Sequence, residues 1–387
     1  MVKPKILIFI NSLRSGGAER VVSHLLQHLK NDFEIHLALY NRSIDYAIPD
    51  EVKIFDLQQS LKENEFVVFL KIPLLSYRLY RYCREHNIPT SIAFLNRPCY
   101  INALMRSLWG FKGNIVMCER THQTTMLQHN SRLYRTISRN LVKFSYKRAD
   151  LVLSNSYASK ADLIENFRIK TPIRVIHNPI DLEFIHRQAA EPVQGVFEEG
   201  IFHFIYVGGF RKEKNVPLLL QAFYIIKHLP VKLVIVGGGA LQNMLLHLVM
   251  ELGIGDKVIF CGFDANPYKY IKRADCFVLS SHVEGFPNVI LEALACGKPV
   301  ISTDCKSGPR EILAPGTDLN HEAFSSYEIV EYGLLTPVND VANLAAAMNK
   351  VYEDDTLRTR FQQKAVSRAK QFDVAEIKRY FHVAFST

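Results

Sequence analysis

The sequence predicts an α/β protein built as two doubly wound, parallel-sheet domains, and three observations carry that expectation. Its 387 residues exceed one ordinary core and suit two of about 150 residues each. Short β-branched runs alternate with amphipathic helical stretches, the pattern of a parallel sheet covered by helices on both faces. The alternation breaks between Pro179 and Gly200, where proline and acidic residues cluster and the apolar period is lost, and then begins again.

Taken in order, the first half places strands at Lys5–Ile10, Ile35–Leu39, Val52–Leu57, Ser91–Leu95, Asn114–Cys118, Leu151–Ser154 and Arg174–Ile176. Helices fall near 17–30, 74–86, 99–109, 132–148 and 157–167. The second half repeats the theme with strands Phe202–Val207, Lys232–Val236, Lys257–Cys261, Cys276–Ser280 and Pro299–Ser302. The domains expected are 1–180 and 181–371, joined by a linker inside 179–200. A helical tail at about 372–387 can cross back over the first domain. Two Rossmann-like units facing one another across a cleft put ligands outside the carboxyl ends of their strands.

Composition narrows the function classes. A 48% hydrophobic and 22% charged chain without low-complexity segments is that of a soluble enzyme. The opening apolar run, Ile6 to Ile10, is too short for a signal peptide or a membrane span. The seven cysteines form no C-x-x-C pair and read as buried thiols of a reducing cytoplasm. Residues 1–180 hold 26 Lys and Arg against 14 Asp and Glu, whereas 181–387 hold 21 against 24. So one-sided a field favours an anionic partner (acidic lipid headgroups, a pyrophosphate-bearing acceptor or nucleic acid), the alternative being an ordinary solvated basic face.

Three segments carry chemistry. In NSLRSGGAERVV, Gly16 and Gly17 lie between a strand and a helix, where main-chain N–H groups and the helix dipole suit a phosphate; a turn needing positive φ is the other reading. In FIYVGGFRKEKNVPLLLQAF, Arg211 and Lys214 follow a strand end and can stabilise charge on a leaving diphosphate, solvated loop charge being the alternative. In CFVLSSHVEGFPNVILEALACGKPVISTDCKSGPREIL, Glu284 sits at the strand's end and Glu292 a turn into the following helix. Gly285, Phe286 and Asn288 occupy the turn, whose free N–H groups suit hydroxyls or phosphates, and Glu292 can accept both hydrogen bonds of a ribose diol.

These segments, together with VIHNPID (175–181), SGPREI (307–312) and GLLTPVND (333–340), occur in an order and spacing that resembles family 4 of the GT-B glycosyltransferases over nearly the whole chain. The resemblance implies retention of anomeric configuration, with attack on the face the phosphate leaves. It assigns Arg211 and Lys214 to the donor pyrophosphate, Glu284 and the amides after it to the transferred sugar, and Glu292 to the ribose. Gly16 and Gly17 would approach the donor phosphate from the first domain. Two departures stand out. Many relatives carry arginine where this chain has Gly209, so Arg211 must supply that guanidinium. Many read E-H after the strand at 114–118, where this chain has Glu119-Arg120-Thr121-His122, leaving Arg120 and His122 both open for the donor sugar.

No D-x-D motif and no His/Cys cluster has metal spacing, so no metal or other cofactor is expected and the cations replace a divalent ion. Segment 132–148 repeats cations at Arg132, Arg135, Arg139, Lys143 and Lys147 beside Leu133, Ile137, Leu141 and Phe144, and Trp109 stands among Met105, Leu108, Phe111, Arg106 and Lys112. Both suit a membrane interface, as well as an ordinary packed helix. The expectation is therefore a retaining, metal-independent transferase moving a hexose or N-acetylhexosamine from a UDP-sugar to a lipid-linked, polyprenyl-diphosphate saccharide. It would work in the cytoplasm, peripherally on the inner face of the plasma membrane, held to an anionic surface by the basic first domain. A GT-B epimerase or phosphorylase is one rival. A non-catalytic membrane or nucleic-acid binder is another, and no nucleic-acid motif accompanies the charge.

Overall fold

Strand β1 (Lys5–Ile10) is buried from Ile6 onward, and such an unbroken apolar run needs cover on both sheet faces. The computed structural model supplies that cover; it describes residues 3–14, 16–59, 67, 70–128, 130–319 and 321–386, so Ser15 of the first glycine loop lies outside it. Two units separate, one formed by Met1–Pro179 with Val374–Thr387, the other by Ile180–Asp373.

In the first unit, β1 joins β2 (Glu34–Leu39), β3 (Lys53–Asp56), β4 (Thr90–Phe94), β5 (Asn114–Glu119), β6 (Leu151–Ser154) and β7 (Ile173–Val175). The sheet is parallel, in the order β3-β2-β1-β4-β5-β6-β7. Helix Gly17–Leu29 and the final helix Val374–Ser386 bury Val21, Leu25, Ile377 and Phe381 against one face. Helices Ile72–Glu85, Asn96–Trp109 and Arg132–Tyr146 lie over the other.

The second unit holds β8 (Phe202–Val207), β9 (Val231–Val236), β10 (Val258–Gly262), β11 (Cys276–Leu279), β12 (Val300–Thr303), β13 (Glu328–Ile329) and β14 (Leu334–Thr336). Their order is β10-β9-β8-β11-β12-β14-β13, with β13 antiparallel at the edge. Both sheets therefore reverse winding direction once, between β1 and β4 and between β8 and β11. At such a switch point successive loops diverge and leave room for ligand.

The expected linker is shorter than its composition suggested. Asp181 accepts the N–H of Phe184 at 2.8 Å and starts helix Leu182–Ala189. Ile185 and Ala189, one helical turn apart, enter the second core. Eight residues were too few to show a period to a sequence reading. The two ends of this unit meet, because Ile180 N–H donates to Phe372 O at 2.9 Å. No described helix is long and apolar enough to cross a membrane.

Candidate active site

At the second switch point two loops converge. After β8 the chain runs through Gly208-Gly209-Phe210-Arg211 into a 3-10 turn, Lys212–Lys214. A second glycine run, Gly237-Gly238-Gly239 after β9, lies directly against it: Phe210 N–H donates to Gly238 O at 2.9 Å. A Cβ at Gly237 would meet Gly208 O at 2.0 Å, and φ is +147° at Gly237 and +154° at Gly239, conformations open essentially to glycine. Sequence reading passed over this triplet, although three glycines after a buried strand were a visible signal. Buried Tyr206 donates from below to Gly209 O at 3.3 Å.

The packed loop delivers Lys214 to Glu284. Their side chains pair at 2.6 Å and keep only 16% and 8% of their exposure. Oε1 of Glu284 also accepts from Ser281 Oγ at 2.7 Å, while Oε2 accepts from no other described residue. Thus one carboxylate oxygen is fixed twice and the other by no described residue. Arg211 pairs with Glu213 at 3.2 Å and keeps 61% of its side-chain exposure. Its Nε lies 3.4 Å from where a Cβ of Gly209 would stand, so its stem doubles back beside Gly209.

The turn beyond Glu284 is held from behind. Ser307 Oγ donates to Gly285 O at 2.6 Å. Gly308, at φ +92°, leaves space into which a Cβ would strike Pro287 Cδ at 2.4 Å. Helix Asn288–Ala295 then begins, with Asn288 at its N-terminus. Phe286 is a core residue, its ring 5.5 Å from that of Phe372. Glu292 is 3% exposed, and Tyr268 OH donates to its Oε1 at 3.5 Å. Arg310 of SGPREI turns away from this turn: its Nε donates to both oxygens of buried Asp304 at 3.2 and 3.0 Å, and Nη2 pairs with Glu328 at 2.9 Å. GLLTPVND supplies Asp340, which caps helix Val341–Glu353 through Asn343 N–H at 2.9 Å.

In the first unit, the residues at the strand ends are engaged with one another. Gly16 has an extended φ of −175° as the N-cap of helix Gly17–Leu29, so the positive-φ turn is not what places it. A Cβ there would meet a Glu19 carboxylate oxygen at 2.2 Å. An acid in the first turn favours the helix dipole, and a phosphate approaching Gly16 and Gly17 must displace it. Leu95, before helix Asn96–Trp109, holds φ +74°, a strained value for leucine.

Glu119, the last residue of β5, received no role from sequence, yet it organises this end of the sheet. Its oxygens accept from Arg120 N–H at 2.8 Å, Thr121 N–H at 3.0 Å, Gln123 Nε2 at 2.8 Å and Tyr146 OH at 2.8 Å. Burial raises its carboxyl above the usual range against those donors. Arg120 reaches Asn178 of VIHNPID with Nη2 at 2.5 Å and lies 5.6 Å over the Phe94 ring, and burial lowers its guanidinium to about 10. His122 turns elsewhere: Nδ1 meets Thr125 Oγ1 at 2.9 Å and lies 3.7 Å from Asp162, which also accepts Thr124 N–H at 2.9 Å. The two residues left open by the sequence therefore occupy different networks. Among the described residues no group of three His, Cys, Asp or Glu could hold a metal.

The basic helix Arg132–Tyr146 divides along its length. Val142, Ser145 and Tyr146 pack against the sheet. Leu133, Tyr134 and Ile137 are 72%, 54% and 48% exposed, among Arg132, Arg135 and Arg139. The packed-helix reading thus holds for the last turns alone. Partial withdrawal of the Lys143 ammonium from water, with crowding by Arg139, Arg168 and Lys147, lowers its pKa below the usual lysine value. Trp109 is no protruding anchor. Its ring packs edge-on against Tyr77 at 4.9 Å, and neighbouring Leu108 is the exposed residue, at 54%.

Residues 15–184 match the family model described as Glycosyltransferase Family 4, and residues 188–368 the one described as Glycosyl transferases group 1. The chain belongs to the family 4 glycosyltransferases, and it is a glycosyltransferase with the GT-B pair of α/β domains. Over 377 residues, 97% of each chain, it is 40% identical to the Campylobacter jejuni N-acetylgalactosamine-N,N'-diacetylbacillosaminyl-diphospho-undecaprenol 4-alpha-N-acetylgalactosaminyltransferase. Among solved structures, sucrose-phosphate synthase from Thermosynechococcus elongatus matches with a TM-score of 0.81 at 19% identity over all of both chains. The Anabaena HepE protein in complex with UDP-glucose matches with 0.78 at 21% identity, over 99% of each. At those identities the likeness is one of fold.

Proposed function

We propose that this chain transfers a hexose or N-acetylhexosamine from a UDP-sugar to a saccharide carried on polyprenyl diphosphate, with retention of configuration and without a metal ion. The observation that carries this reading is the Lys214–Glu284 pair at the switch point, with Arg211 exposed beside it and one Glu284 oxygen unengaged by any described residue. The second unit is the donor domain and the first the acceptor domain. Lys214 and Arg211 take the diphosphate, Glu284 and the amides after it orient the transferred sugar, and Glu292 holds the ribose. The C1–oxygen bond breaks with its electrons passing to the diphosphate, where the two cations stabilise the charge. The acceptor hydroxyl bonds to C1 from the same face, and its proton goes to the departing phosphate oxygen.

The nature of both substrates is supported by the relatives. The 40% identical enzyme is named for an acceptor on diphospho-undecaprenol, and a protein of the same fold was solved with UDP-glucose. A lipid-borne acceptor also accounts for the exposed basic and apolar turns that open helix Arg132–Tyr146, which suit an anionic bilayer at the cytoplasmic face.

Transfer assays with UDP-hexoses and UDP-N-acetylhexosamines against polyprenyl-diphosphate saccharides test the reading. One UDP-sugar is expected to extend the acceptor by one residue, at an undiminished rate in EDTA. Hydrolysis or epimerisation of the donor without extension would refute transfer. Loss of activity in EDTA, restored by Mg²⁺ or Mn²⁺, would refute the metal-free mechanism.

A further inference from the structure

Ser280 and Ser281 follow β11 directly and are wholly buried. A buried hydroxyl must place its proton on some acceptor. At the end of the adjacent strand β12, Ser302 takes the local solution and donates to the carbonyl of Thr303 at 2.9 Å. The pair after β11 does not. Ser280 Oγ donates to the main-chain oxygen of Lys214 at 3.1 Å, and Ser281 Oγ to Glu284 Oε1 at 2.7 Å. Two consecutive residues thus grip both partners of an ion pair that lie 70 positions apart in the chain. The grip is itself anchored, since His282 N–H donates to Glu213 O at 2.9 Å and Thr303 Oγ1 to Ser281 O at 2.6 Å.

We infer that Ser280 and Ser281 are positioning residues for transfer, and the inference rests on the role proposed above for Glu284. A carboxylate held only by a lysine ammonium can pivot about that contact, because the ammonium is a point charge without a fixed plane. A second donor on the same oxygen fixes the plane, so that Oε2 meets the transferred sugar at a set angle. Ser280 sets the height of Lys214 against the same reference. Small errors in such a geometry lower turnover more than binding.

The test compares donor-saturated kcat and donor KM for Ser281→Ala, Glu284→Ala and the double variant, with UDP-induced thermal stabilisation as the check of folding. Ser281→Ala is expected to lower kcat about tenfold, the scale of one lost hydrogen bond to a charged group, with donor KM within about twofold. In the Glu284→Ala background it should cost nothing further, since the carboxylate it orients is gone. Ser280→Ala should likewise add nothing to Lys214→Ala. Wild-type kcat in Ser281→Ala, or the same tenfold loss without Glu284, overturns the clamp. Wild-type kcat in Glu284→Ala overturns the site reading instead. A merely structural serine would lower stability and act equally in both backgrounds.

Discussion

The two sheets share the order of their first five strands and a switch point, yet the acids at their strand ends live differently. Glu119 closes β5 with its oxygens filled by donors from Arg120, Thr121, Gln123 and Tyr146. Glu284, beyond β11, has one oxygen taken twice and the other facing no described protein donor. A saturated carboxylate is a fastening; an unsaturated one beside an exposed arginine can receive a ligand. On the proposed reading, position at a switch point marks the site, and the count of unengaged atoms distinguishes Glu284 from Glu119.

The largest effect should come from the open side. Lys214→Ala and Arg211→Ala are each expected to lower turnover by about 10²-fold, as when a preorganised charge is taken from a transition state. Steady-state kinetics at saturating donor measures it, and near-normal turnover in both would erase the contrast. On the closed side Glu119→Ala should act through stability, because it strands four donors in a dry place. A cost of about 3 kcal/mol is expected, read by chemical denaturation. A stable, inactive Glu119→Ala would instead move that residue among the catalytic groups.

The smallest effect concerns pH. Each unit buries a histidine near the amino end of a strand, His36 in β2 and His203 in β8, both under 3% exposed. Burial lowers the pKa of each below the usual 6.5; Glu34 for His36, and Asp275 for His203, pull the other way. A folded pKa below the unfolded one means stability that is complete above about pH 6.5 and is lost as pH falls through the folded value. Unfolding midpoints should drop between pH 7 and 5. His36→Gln should flatten that slope for the first unit alone, and an unchanged slope would take His36 out of the account.

Much of this was legible in the residues, and the rest was hidden for physical reasons. Strands such as Lys5–Ile10 and Phe202–Val207 announce themselves because burial on both faces demands an unbroken apolar run. Lys214 and Glu284 could each be singled out by neighbours in sequence. That they touch could not, since the contact spans 70 positions and depends on strand order. Ser281 looks like any serine until Glu284 stands beside it. Helix Leu182–Ala189 has too few residues to reveal a period, and two-residue β13 owes its form to pairing with β14. That the Phe286 ring packs into the core was not legible either, because a turn rich in free N–H groups gives no sign of which way its one aromatic ring points.

The last helix carries a consequence for biosynthesis. Ile377, Phe381, Ala384 and Phe385 complete a core that includes Val21, Leu25 and their neighbours near the start of the chain. A ribosome making about 5–20 residues per second must finish the entire intervening unit, Ile180–Asp373, before that helix emerges. For tens of seconds, while the later-made unit is being synthesised, the earliest-made sheet waits with one apolar groove uncovered. The nascent chain is thus most exposed to aggregation through its oldest residues, and a holding chaperone would find its target at helix Gly17–Leu29.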